Sequence, residues 1–148
     1  MGVIRHNLRA ACPPQKLWAL LADLTAVAVY NPKVKAARLR ADRAHGVGTE
    51  RECDLVPKGT AVERVTVWED GNALGLEVIE SDWPILYMRW VTRIAPDAAG
   101  ARVTQELEYK VKFGPLGWAL DQLAMRRAIE KNVGNALTGM IRHAERAA

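Results

Sequence analysis

The sequence has little of what a disulfide-stapled, metal-bound or membrane-spanning protein needs. Its two cysteines, Cys12 and Cys53, lie far apart in 148 residues. They are too few for a disulfide framework, so both read as free thiols. The three histidines, His6, His45 and His143, stand alone and form neither an HExxH nor a CxxC-and-His spacing. No metal and no cofactor are therefore expected. No stretch approaches the ~20 apolar residues of a membrane span, and Met1-Gly2-Val3-Ile4-Arg5-His6 lacks the apolar run of a signal peptide. The expectation is a cytoplasmic protein without stable membrane insertion. Repeats, low-complexity tracts and linkers are also missing, which points to one domain over 1–148. The net charge is +4 and the pI near 9.3, but the charge is dispersed. Basic residues alternate with acidic ones, as in Arg51-Glu52 and Glu63-Arg64, without the basic run and interleaved aromatics of a nucleic-acid face. That charge reads as solvated surface, with no nucleic-acid partner.

What is present is mostly strand-like alternation. Residues 3–11 form an expected first strand, ended by Pro13-Pro14, because proline cannot donate a ladder bond and is well placed to open a helix. Over 14–23, Leu17, Trp18, Leu20, Leu21 and Leu24 recur at helical spacing and make one buried stripe. Thr25 can cap a second short helical turn ending near Tyr30, and Asn31-Pro32 breaks the chain. Alternating segments follow at 34–40, 48–56, 60–69, 73–80 and 86–94, punctuated by turn residues such as Pro57-Lys58-Gly59 and Asp70-Gly71-Asn72. A last strand at 102–112 follows a loop at 96–100. The expected sheet has seven strands, mostly paired with their sequence neighbours in a meander. From 116 to 144, Leu120, Leu123, Met125, Ile129, Val133, Leu137, Met140 and Ile141 carry helical periodicity. Such a helix would be roughly 40 Å long and cross one face of the sheet diagonally. Gly134 and Gly139 inside it predict close packing on the sheet or a bend.

Strand parity identifies the interior. In 48–55 the acids Glu50, Glu52 and Asp54 alternate and should face water, which turns Thr49, Arg51, Cys53 and Leu55 inward. A hairpin centred on Pro57 sets Arg51 opposite Glu63, Cys53 opposite Ala61 and Thr49 opposite Val65. An inward arginine thus meets an inward glutamate. Two readings apply: a buried ion pair that shapes the sheet, and a polar anchor in an otherwise apolar pocket. Lys35 would flank the same region with Val34 and Ala36 turned outward, and Tyr30 and Asn31 would lie at one pocket end. Arg89 and Arg93 turn Met88, Trp90, Thr92 and Ile94 inward. Glu106, Glu108 and Lys110 do the same for Val103, Gln105, Leu107, Tyr109 and Val111, so Gln105 and Tyr109 become buried polar groups. Met125, Ile129 and Met140 are adaptable apolar groups on the long helix. Trp83-Pro84 and Trp118 are candidates for a pocket mouth.

The order of these elements, with the local runs PPQKLWALLAD at 13–23, Tyr30-Asn31-Pro32, GVGTER at 46–51, ERVTVW at 63–68, ARVT at 101–104 and GPLG at 114–117, resembles the START-related superfamily called SRPBCC or Bet v 1-like. The likeness is to its polyketide cyclase/dehydrase and lipid-transport branch and covers nearly the whole chain. It implies an α+β helix-grip fold: a curved antiparallel sheet wrapped around a long C-terminal helix, with two short helices between the first and second strands. The resemblance also implies a cavity that in relatives holds lipids, sterols, plant hormones, quinones or polyketide intermediates. Arg51, Glu63 and Lys35 resemble the inward arginine, glutamate and lysine that line that cavity in plant hormone receptors of the superfamily. Arg51 with Thr49 or Tyr30 is similar in kind to the arginines and hydroxyls of aromatase/cyclase relatives.

The leading expectation is a carrier that sequesters a small hydrophobic or amphipathic molecule (lipid, polyketide or quinone-like) within Arg51, Glu63, Lys35, Tyr30, Thr49, Cys53, Val65, Met88, Trp90, Gln105, Leu107, Tyr109, Met125 and Ile129. The alternative is a polyketide cyclase/aromatase-type enzyme in which Arg51 polarises a carbonyl and Tyr30 or Glu63 transfers a proton. A protein-interaction module with a vestigial cavity is a third class. Ligand identity and oligomeric state have no sequence signal.

Overall fold

The computed structural model describes residues 2–42, 45–112 and 124–146. Strand β1 (Gly2–Ala10) leads into helix α1 (Pro14–Ala22), a 3-10 turn (Leu24–Ala26) and the short helix α2 (Val27–Tyr30). Strands β2 (Val34–Leu39), β3 (Glu50–Leu55), β4 (Thr60–Glu69), β5 (Ala73–Ser81), β6 (Ile85–Asp97) and β7 (Gly100–Val111) follow, and the chain closes on helix α3 (Arg126–Arg146). All seven strands form one antiparallel sheet, in the order β1-β7-β6-β5-β4-β3-β2. From β2 onward this is the expected meander. β1 leaves it because the helical pair carries the chain across to the far edge, where β1 pairs with β7 from Gly2↔Tyr109 to Ala10↔Ala101. The architecture is α+β, the helix-grip fold.

The expected loop at 96–100 is instead a tight hairpin, with Asp97 paired to Gly100. Gly100 takes φ +136, and any Cβ there would press on the backbone oxygens of Ala10 and Cys12. Only glycine fits. The strands on either side can therefore run on to the turn itself.

Helix α3 lies across the inner face of the sheet, burying Ile129, Leu137, Met140, Ile141 and Ala144. Its 21 residues span about 31 Å. Both ends are tied to β1 and its exit: Arg126 donates to the Val3 carbonyl at 2.9 Å, and the Ala11 N–H donates to Glu145 at 2.7 Å. Close packing at the helix glycines has two different partners. Gly134 faces His6 on β1, whereas a Cβ on Gly139 would collide with the carbonyl oxygen of Tyr30. The sheet is the neighbour at one glycine and α2 at the other. The expected start of this helix, with Leu116, Trp118, Leu120 and Leu123, lies outside the described residues.

The main core joins α1, α3 and the middle of the sheet through Leu17, Leu21, Val65, Leu74, Leu76, Val103 and Met140. A second cluster, with Val27, Val34, Cys53, Leu55 and Ala61, packs α2 onto β2, β3 and β4. The opposite face of β2 and β3 is charged, as parity requires. There Arg38 pairs with Glu52 and Asp54, and Arg40 with Glu50. The Arg38 guanidinium, donating to Asp54, holds that carboxyl below the usual carboxylate range.

Candidate functional site

The β3-β4 register puts Arg51 directly opposite Glu63, both on the inner face. Arg51 is only 5% exposed, which would be prohibitive for an unpaired charge. Its Nε–H donates to Glu63 Oε1 at 2.7 Å, and Nη2 reaches the same oxygen at 2.7 Å. Nη1 donates to the carbonyl of Leu24 at 3.0 Å. The arginine thus ties the helical pair to the sheet. Burial opposes its charge, but Glu63, Tyr30 and Cys53 together more than offset this and raise its pKa.

Tyr30, at the end of α2, brings its hydroxyl against Arg51. Burial pushes its pKa up, and the Arg51 charge opposes part of that shift. Cys53 is sealed two residues further along β3, where burial and then the Glu63 charge push its thiol up to about 12. It is a core thiol and not a nucleophile in this state. Thr92 on β6 donates to the side-chain oxygen of Gln105 on β7 at 2.8 Å, a second buried polar contact.

Arg51, Glu63, Tyr30, Thr92 and Gln105 border a cavity of about 180 Å³ between α2, the sheet and α3. It has room for on the order of a dozen waters. Tyr30, Arg51 and Glu63 make one polar spot on its wall and the pair of Thr92 and Gln105, on β6 and β7, another, while apolar groups such as Leu76, Met88, Trp90, Leu107 and Ile129 cover most of the rest. Asn31 and Trp83 also border it.

Other expected site residues sit elsewhere. Thr49, Cys53 and Val65 point inward but are off the cavity lining. Thr49 is 1% exposed, and its hydroxyl has no hydrogen-bond partner among the described residues. Tyr109 is fully buried beside Ile4, Leu107 and Ile129, with Gly2 seated over its ring, and does not reach the cavity. Met125 is half-buried ahead of α3, also off the lining. Lys35 is a correction: it is exposed, because Val34 is the residue that turns inward and a bulge follows between Val34 and Ala36. The lysine on the lining is Lys33, held in a turn by its own N–H donating to Asn31 Oδ1 at 3.0 Å. Trp118 lies outside the described residues.

Sequence reasoning missed Lys33 because the strand was read as regular from its first residue. It also missed Asn132 on α3, which had a signal: it falls on the stripe of Ile129, Val133, Ala136 and Met140, and all five line the cavity. A larger hollow, about 650 Å³, lies on the outer face of the sheet among Arg5, Arg89, Glu106 and Glu108. Its charges are exposed and already paired, Arg5 with Glu106 and Arg89 with Glu108. The inner cavity, with its buried polar groups, is the candidate site. Among the described residues no cluster of three or more His, Cys, Asp or Glu is placed to hold a metal. None of the described helices is long and apolar enough to cross a membrane.

Solved structures with the same fold are numerous. A protein from Thermus thermophilus superposes with a TM-score of 0.83 at 21% identity, covering 99% of each chain. A protein from Thermobifida fusca superposes with a TM-score of 0.76 at 22% identity, over 99% of this chain and 95% of that one. The protein XoxI from Bacillus cereus gives a TM-score of 0.76 at 12% identity, over 97% and 95%. At these identities the likeness is one of fold. No curated protein matches by sequence. A family model described as polyketide cyclase / dehydrase and lipid transport matches residues 1–145, and the chain belongs to that family.

Proposed function

We propose that this protein binds a small, largely apolar molecule in the cavity between sheet and α3 and acts as its carrier. The observation behind the reading is a cavity whose wall is largely apolar and carries a buried polar spot at Arg51, Glu63 and Tyr30. Each methylene moved from water into such a space contributes about 0.8 kcal/mol, so the apolar wall supplies affinity. The polar spot supplies orientation. Membership of a family described by lipid transport as well as polyketide chemistry agrees with an occupant of lipid, polyketide or quinone-like character.

A cyclase or aromatase role at the same spot would need Arg51 to polarise a ligand carbonyl. Three of its five N–H donors are already engaged by Glu63 and Leu24, which favours the carrier over the catalyst. Native mass spectrometry of protein purified from the cells that make it tests the reading. A mass excess that vanishes on denaturation and reappears as a small organic molecule is the expected result. Protein that is unliganded from its own cells and also fails to bind a neutral apolar dye such as Nile red would end it.

A further inference from the structure

The polar spot has a definite hydrogen-bond character. Nε and Nη2 of Arg51 converge on one carboxylate oxygen of Glu63, Oε1, while Nη1 donates to the Leu24 carbonyl. The arginine is thus held by the protein, and its charge is balanced by a partner in contact. Glu63 Oε2 accepts no hydrogen bond among the described residues, and the Glu63 side chain keeps 14% exposure on the cavity lining. It is an acceptor left facing the space. Tyr30 adds a hydroxyl beside the same pair.

We infer that the polar end of this cavity selects a neutral hydroxyl group, an alcohol or phenol, and discriminates against a carboxylate. A hydroxyl donates to Glu63 Oε2 and accepts from the Tyr30 hydroxyl beside it. A carboxylate has no proton for Glu63 and brings a second negative charge beside it, in a place where the neighbouring cation is already neutralised. An ether or ketone accepts but leaves Oε2 without a donor, the costlier omission at a largely buried carboxylate. Lys33, the other cation on the lining among the described residues, is half-buried in the turn ahead of β2.

The inference rests on the carrier reading, and a matched series separates the two. Binding of 2-naphthol, 2-methoxynaphthalene, 2-naphthoate and naphthalene is measured by isothermal titration calorimetry at neutral pH, with the wild-type protein and with Glu63→Gln. The naphthol is expected to bind at least about tenfold more tightly than each of the other three. In Glu63→Gln that preference over naphthoate should shrink towards parity. Naphthoate or methoxynaphthalene binding as tightly as naphthol to the wild type overturns the hydroxyl assignment and leaves the carrier reading intact. Binding of none of the four overturns both. The wild-type comparison decides the matter even if the variant does not fold.

Discussion

Arg51 ties the helical pair to the sheet and also borders the cavity, and substitution measures the first of these. Arg51→Ala strands the Glu63 carboxylate and the Leu24 carbonyl and should cost roughly 3–5 kcal/mol in urea unfolding. Arg51→Met combined with Glu63→Leu removes both charges and should recover most of that loss. A single variant as stable as wild type would show that the pair does not hold the helices to the sheet. Cys53 makes the pH dependence testable. Its thiol is pushed from an ordinary 9.0 up to about 12 by burial, so between those values the folded chain keeps a proton that the unfolded chain has released. The stabilisation is complete below about pH 9 and is lost as pH climbs towards 12, at up to about 1.4 kcal/mol per pH unit. Tyr30, also raised, adds to the same alkaline loss. The stability gap between wild type and Cys53→Ala, followed by urea unfolding from pH 8 to 10.5, should narrow with rising pH. A constant gap would refute the account.

At the scale of elements, α3 is placed by its small residues as much as by its apolar stripe. Gly139 lets the Tyr30 carbonyl approach the helix backbone, and Tyr30 is the residue whose side chain borders the cavity. Replacing it by alanine gains about 1 kcal/mol of helix propensity but forces α2 away, for a net loss of about 1–3 kcal/mol. Gly134→Ala meets only the tip of His6, at 3.3 Å. It should be neutral or mildly stabilising. Thermal unfolding of the two variants side by side checks the contrast, and equal effects would mean that the α2 contact does not position the helix.

For the whole molecule, the cavity is space that a tighter core would have closed. Ala136 points from α3 into it. Ala136→Phe should fill it, leave the melting temperature unchanged or raise it by a few degrees, and abolish uptake of Nile red. Uptake that survives in a folded Ala136→Phe protein would place the dye elsewhere, the outer hollow near Arg5 and Arg89 included.

Much of this was legible from residue order. Glu50, Glu52 and Asp54 set the parity of β3, and turn residues set its hairpin, so the Arg51↔Glu63 pairing followed from a period of two and one turn. What lay beyond local pattern was decided in three dimensions. The bulge after Val34 swapped Lys35 for Lys33, because a strand's facing depends on where its ladder slips. Tyr109 and Cys53 were correctly inward, yet whether an inward side chain meets packing or open space depends on what the opposite layer brings to it. Periodicity in a single chain assigns each side chain a face. Only the docking of α2 and α3 onto that face decided where the core closes and where it leaves a cavity.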